Sequence, residues 1–142
     1  MNWWWDSYLE PNGLLRYYAA FARFFGRADL SNWRVVRDPG IGDVRVVGAR
    51  SSQAALLWVQ QRGNGWYQRF VKDSPPVVLK GARLSLKGFD DGAYAVEWWD
   101  TRDGEPTSQV RVQVKGGSLL VEVPSGSADV ACRIQRVAKI ED

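Results

Sequence analysis

Two carboxylates, Glu97 and Asp100, flank a tryptophan pair in the stretch EWWD, and their spacing suggests a pair that could act on one bond. A glycosidase needs two carboxyl groups facing one glycosidic bond, roughly 5 to 9 Å apart. However, EWWDTRDGE is typical of a strand that runs into a turn, where Asp100 can accept hydrogen bonds from backbone amides and Glu97 can pair with an arginine across the sheet. We therefore favour structural roles for this pair and predict no catalytic residue.

Aromatic side chains offer a second chemistry, because the CH faces of a pyranose ring lie flat against an indole and polar neighbours then orient the sugar. Strand alternation places Glu97 and Trp99 on one face, opposite the face that carries Trp98. The predicted carbohydrate-binding residues are Trp66, Tyr67, Trp99, Glu97 and Asp100. The alternative is that Trp66 and Trp99 pack against the terminal helix or against another domain.

Composition excludes several other classes of site. The chain has no histidine and one cysteine, Cys132, so neither the usual tetrahedral metal sets nor a histidine-based triad can be built, and we expect no metal and no cofactor. The net charge of +3 comes from scattered residues, without the charged groove of a nucleic-acid-binding protein. No apolar run approaches the roughly 20 residues of a membrane span. We therefore expect neither nucleic acid nor a membrane as a partner.

The N-terminal third predicts a helix. Apolar residues recur at intervals of three and four from Pro11 to Gly26, with the proline near the start and the glycine at the end. Only Arg16 and Arg23 interrupt this apolar surface, so the helix needs neighbours on more than one side.

After the helix, the period changes to two. Eight short runs rich in valine, leucine and aromatics alternate with turn-forming stretches, which predicts a mainly β fold: an antiparallel, immunoglobulin- or fibronectin-like β-sandwich of seven or eight strands after one N-terminal α-helix. Val110, Val112 and Val114 are predicted to face the core. Trp58 and Trp98 are also predicted to lie on the inward face. The segment between Arg62 and Leu79 is predicted to be a surface loop.

Two stretches together resemble parts of one enzyme family. The stretch WWWDSYLEPNGLLRYYAAFARFFGRADLS resembles the last strand and last helix of the (β/α)8 barrel in clan A, family 5-like glycoside hydrolases. The stretches GAYAVEWWDTRDGE and LLVEVPSGSADVACRI resemble the β-sandwich appended to such barrels, often labelled a collagen-binding or glycosidase-associated domain. The resemblance implies a barrel-derived segment at residues 1–31 and a sandwich at 32–142. The catalytic carboxylates of those barrels lie on strands that this chain lacks, so none is carried over.

The resemblance implies a noncatalytic accessory β-sandwich that binds plant-type polysaccharide, β-glucan or mannan, through exposed aromatics. The alternative is an interaction fragment that braces or completes a glycosidase barrel and associates with itself through the N-terminal helix. The first residues lack the pattern of an export signal, so the sequence assigns no cellular location. A domain that acts together with a secreted glycosidase would be extracellular.

The N-terminal aromatics also predict association. A helix apolar on two sides can dock only one of them on its own sandwich, and the other side must find cover. We expect this cover from a glycosidase barrel or, in a homo-oligomer, from a second copy of the same surface. The alternative is a helix folded so that both of its sides find cover within one chain. The predicted contact residues are Trp3, Trp4, Trp5, Tyr18, Phe21 and Phe25.

Overall fold

The protein is a β-sandwich with one α-helix packed on an outer face. The computed structural model describes residues 4–37 and 42–137. The eight strands are β1 (Arg34–Arg37), β2 (Val44–Arg50), β3 (Ala54–Gln61), β4 (Arg83–Lys87), β5 (Gly92–Trp99), β6 (Pro106–Val114), β7 (Ser118–Glu122) and β8 (Asp129–Arg136). Every strand pairing is antiparallel, and each strand falls on one of the eight runs with period two, so the predicted fold class is confirmed.

The strands divide unevenly between the two sheets. The large sheet has six strands in the order β1-β2-β3-β8-β5-β6, and the small sheet pairs β4 with β7. The main core lies between the sheets and contains Trp98, Tyr94, Leu57 and Ile134. Because the small sheet is only two strands wide, it leaves part of the edge strand β6 uncovered. Val110 is therefore exposed, contrary to the prediction, whereas Val114 is buried.

One α-helix, α1 (Leu15–Phe25), packs on the outer face of the six-stranded sheet. It begins four residues later than Pro11, because Glu10–Leu14 forms turns, and it ends at Gly26, whose φ of 56° suits glycine. The preceding residues Trp5–Leu9 form a π-helical turn. The resemblance of this stretch to a barrel strand therefore does not extend to its secondary structure. No helix in residues 4–37 and 42–137 has the length and apolar character needed to cross a membrane.

Arg133 on β8 fixes the C-terminal end of α1. Its guanidinium donates to the carbonyl oxygens of Arg23, at 3.2 Å, and Phe24. These carbonyls belong to the last turn, which has no further helical amides to bind, so a cation here satisfies them and complements the helix dipole.

Gly104, in the turn after β5, permits the close approach of α1. A Cβ atom at this position would lie 2.7 Å from the carbonyl oxygen of Ala20 and 2.8 Å from its Cβ atom. Arg23 reaches across the contact and donates to the Gly104 carbonyl oxygen at 3.3 Å. The helix is therefore held in one position on the sheet.

Candidate functional site

Trp99 lies under α1 and not in solvent. Only 8% of it is exposed, and its ring meets that of Phe24 edge to face at 5.7 Å between centroids. The Arg133 guanidinium lies 4.5 Å from the Trp99 ring centroid, a cation–π contact. Alternation correctly placed Trp99 on the face opposite Trp98. The solvent exposure that sugar binding requires of Trp99 is wrong, and the alternative, that Trp99 packs against the N-terminal helix, is confirmed.

Both carboxylates of the EWWD stretch have structural partners. Glu97 Oε2 lies 3.7 Å from Arg133 Nη1 and accepts a hydrogen bond from Trp99 Nε1 at 3.3 Å. Asp100 Oδ1 accepts from the backbone amides of Arg102 and Asp103 at 2.7 and 2.8 Å, which closes the turn between β5 and β6. Because each carboxylate is held by its own partners, the two do not form a sugar-facing set with Trp99.

Trp66 and Tyr67 lie on the surface, in the segment that was predicted to be a loop. That segment contains a short 3-10 turn, Arg62–Asn64, and a π-helical turn, Tyr67–Val71. Trp66 is 71% exposed and Phe70, four residues later, is 85% exposed, so two aromatic side chains project from one helical turn. The rings of Trp66 and Tyr67 stand nearly perpendicular, at 86°, with centroids 5.8 Å apart, so these two do not form one flat platform.

A buried asparagine attaches this segment to the sandwich. Asn64 donates from Nδ2 to the carbonyl oxygens of Val77, at 2.6 Å, and Ala128, at 3.2 Å. Its Oδ1 accepts from the Val77 amide at 2.8 Å. The aromatic turn is therefore anchored at its base, although its own side chains are solvated.

The described contact residues predicted at the N-terminus lie at the surface. Trp4, Trp5, Tyr18 and Phe21 are exposed, Phe25 is half-buried, and Trp3 lies outside the described residues. The rings of Trp5 and Tyr18 are 5.7 Å apart, and those of Phe21 and Phe25 are 4.4 Å apart. These side chains form two clusters of contacting rings beside the docked side of α1, where Ala20 and Phe24 are buried, and together they are called the N-terminal aromatic surface.

A groove of about 700 Å³ runs between α1 and the outer face of β2, β3 and β8. Its volume lies within the range of about 300–1,000 Å³ that is usual for small-molecule sites. One wall is helical and aromatic, the floor is aliphatic, and one end carries polar side chains. The principal lining residues are Tyr17, Phe21, Val47, Ala49, Trp58 and Asp129.

Trp58 is the aromatic residue that the sheet contributes to this groove. It is 36% exposed, and its indole Nε1 donates to Asp129 Oδ2 at 3.0 Å. The other oxygen, Oδ1, accepts from the Thr101 hydroxyl at 2.8 Å. Asp129 therefore fixes the orientation of the indole, while Asp100 and Arg102 line the same polar end of the groove.

The inward position predicted for Trp58 is wrong, since its side chain lies on the outer face. In β3 the fully buried residues Ala55, Leu57 and Val59 alternate with Leu56 and Trp58. The signal was present in the sequence, because strict alternation puts Trp58 on the same face as the polar Gln60. The contribution of Asp129 could not be found in this way, since it depends on β3 pairing with β8, where Gln60 lies opposite Asp129.

Comparison with known proteins gives little further information about this site. No family model matches the sequence, and no curated protein matches it either. One similar solved structure is the crystal structure of a GH30 endoxylanase from Clostridium papyrosolvens C71, with a TM-score of 0.48 and 9% sequence identity. The similar region covers 85% of this chain and 28% of that chain, so this protein spans less than a third of the enzyme's length. A similarity at this level carries no argument about activity.

Proposed function

We propose that this protein is a noncatalytic accessory β-sandwich of the kind found with glycoside hydrolases, and that it binds a neutral plant-type polysaccharide, β-glucan or mannan, in the groove beside α1. The observation that supports this most strongly is the indole of Trp58, which Asp129 holds in a concave site beside further polar side chains. Since sugar recognition combines an aromatic face with a few fixed hydrogen-bonding groups, this groove has the required chemistry.

In this proposal, one pyranose ring stacks on Trp58. Arg102, Asp129 and Asp100 line the polar end of the groove, where a guanidinium can donate hydrogen bonds to sugar hydroxyl groups and a carboxylate can accept them. Tyr17 lines the helical wall of the groove. Trp66 and Phe70 provide a second aromatic surface for a long polymer, anchored through Asn64.

Affinity electrophoresis in gels containing soluble β-glucan or mannan tests this proposal. We expect wild type to be retarded by one of these polymers and Trp58→Ala to bind about tenfold more weakly, because one stacking contact is worth of the order of 1 kcal/mol. Trp66→Ala is the matched control, since it removes a more exposed tryptophan outside the groove, and we expect a smaller loss. Equal mobility of wild type and Trp58→Ala on both polymers would remove the groove as a glycan site.

The noncatalytic part of the proposal has its own assay. Glu97 and Asp100 are engaged by Arg133 and by turn amides, so the purified chain should release no reducing sugar from β-glucan or mannan. Release of reducing sugar that Glu97→Gln abolishes would instead make this chain a glycosidase.

A second candidate function is that of an interaction module, and the aromatic surface at the N-terminus favours it. This surface is held to the sandwich through Phe24 and Arg133, yet it exposes several large rings to solvent. Together with the resemblance to the end of a barrel, it supports a role in bracing a glycosidase barrel. Co-purification of the chain with the product of a neighbouring barrel-encoding reading frame, lost on Trp5→Arg, would support that role, whereas co-purification that Trp5→Arg leaves unchanged would count against it.

A further inference from the structure

The exposed rings of the N-terminal aromatic surface, together with the exposed Tyr8 and Tyr17 of the same two segments, have the size of half a protein interface. Six aromatic side chains contribute to it, each about half exposed: Trp4, Trp5, Tyr8, Tyr17, Tyr18 and Phe21. With about 150–250 Å² per aromatic side chain, the exposed part amounts to roughly 600 Å². Two such surfaces together would bury roughly 1,200 Å², which reaches the lower end of the range of about 1,200–2,000 Å² that stable protein interfaces bury.

The rings are ordered among themselves before any partner arrives. Trp4 meets Trp5 edge to face at 6.3 Å, and Trp5 in turn packs on Tyr18 across the turn that joins the π-helical segment to α1. Because α1 is fixed by Arg133 and by the close contact at Gly104, these rings have a rigid base. A preorganised surface loses little conformational entropy on association.

The charges around this surface fit a second copy of the same chain. Asp6 and Glu10 lie on the preceding segment, and Arg16 and Arg27 lie on or after the helix. All four are exposed, so these segments carry charges of both signs and have no single sign that would select an acidic or a basic partner. In a twofold arrangement, the acids of one copy can approach the bases of the other.

We propose that the protein is a homodimer in which the N-terminal aromatic surfaces of two copies pack against each other about a twofold axis. Tyr18 and Trp5 lie at the centre of this interface. Tyr17 and Phe21 belong both to this surface and to the wall of the groove, so the second copy covers the outer edge of that wall. Dimerisation and polysaccharide binding share Tyr17 and Phe21, but the proposed interface does not involve Trp58, so Trp58→Ala should leave the dimer intact.

Sedimentation velocity or light scattering at about 50 µM tests the dimer. We expect wild type to have twice the 16.0 kDa mass of the chain. Tyr18→Arg should raise the dimer dissociation constant at least about 30-fold, because a charge replaces a central aromatic contact. The matched control is Phe70→Arg, which places the same charge at a more exposed aromatic position away from the surface, and it should remain dimeric.

Circular dichroism and thermal melting establish that each variant is folded. Trp5→Arg is a second variant that disrupts the same surface, from the π-helical turn that precedes α1. A monomeric wild-type chain would overturn the proposal and favour a different protein, such as a barrel, as the occupant. A dimer that survives both Tyr18→Arg and Trp5→Arg would also overturn it, since the interface would then lie elsewhere. Loss of the dimer in these variants with retained glycan retardation separates this result from any failure of the proposed function.

Discussion

Two neighbouring tryptophans show how differently the two faces of the large sheet are used. Trp98 points inward and is 1% exposed, in a cluster that includes residues of both sheets. Trp99 points outward and belongs to a small cluster with Phe24, Leu56 and Ala131. The small sheet covers the inner face except near Val110 on the edge strand β6. The outer face is covered where α1 lies and where Leu30 and Trp33, which follow the helix, pack against the same cluster. The inner face therefore supplies most of the stability, and the outer face leaves surface for binding.

The largest expected effect comes from breaking the inner face. We expect Trp98→Ala to lower the free energy of unfolding by about 3–5 kcal/mol, because it removes a fully buried indole and leaves a cavity that close-packed neighbours cannot fill. Urea denaturation followed by circular dichroism measures this loss. Trp66→Ala is the control, since a tryptophan that is mostly in solvent should change stability by less than about 1 kcal/mol. Equal losses of unfolding free energy in Trp98→Ala and Trp66→Ala would show that the inner face does not supply most of the stability.

Local patterns predicted which side chains share one face of a strand, but they did not decide which of those side chains are covered. Alternation in each run fixes which side chains share a side, and it correctly paired Tyr94, Val96 and Trp98. It does not determine what covers a side. Trp99 is buried because α1 docks there, and Val110 is exposed because the small sheet is two strands wide. Both outcomes depend on contacts between residues far apart in the chain.

The candidate groove likewise depends on contacts between residues far apart in the chain. Its helical wall comes from α1, and its floor comes from strands that follow much later in the sequence. The hydrogen bond between Trp58 and Asp129 joins residues 71 positions apart. Sequence patterns identified the exposed Trp66 and Tyr67 because a loop exposes its side chains locally, but a site assembled from a helix and three strands has no local signature.

A smaller loss of stability is expected when only the docking of α1 on the outer face is weakened. Gly104→Ala places a Cβ atom against Ala20 and adds strain, because φ at this position is 65°. We expect a loss of about 2–3 kcal/mol in the docking of α1, with the sandwich retained. The fluorescence of Trp99 should shift to longer wavelength as the helix lifts.

The matched control for this change is Gly116→Ala, at a similar φ of 64° but with no atom within 4 Å of the added Cβ. It shares the backbone strain and lacks the collision with the helix. If Gly104→Ala and Gly116→Ala produced the same fluorescence and the same stability, close packing at Gly104 would not be what holds α1.

The smallest expected effect is a loss of unfolding free energy at alkaline pH, caused by titratable side chains buried on the inner face. Burial raises the pKa of the Cys132 thiol well above its ordinary value, and burial also raises the pKa of Tyr94. Above about pH 9 the unfolded chain loses the thiol proton while the folded chain keeps it, so stability is constant below that pH and falls as the pH rises. Between pH 8 and pH 10, we expect the free energy of unfolding to fall by roughly 1–2 kcal/mol.

Urea denaturation at pH 8 and at pH 10 measures this fall. Cys132→Ala should remove most of it, since the contribution of Tyr94 begins about one pH unit higher. An unchanged pH dependence in Cys132→Ala would show that the thiol is not the group responsible.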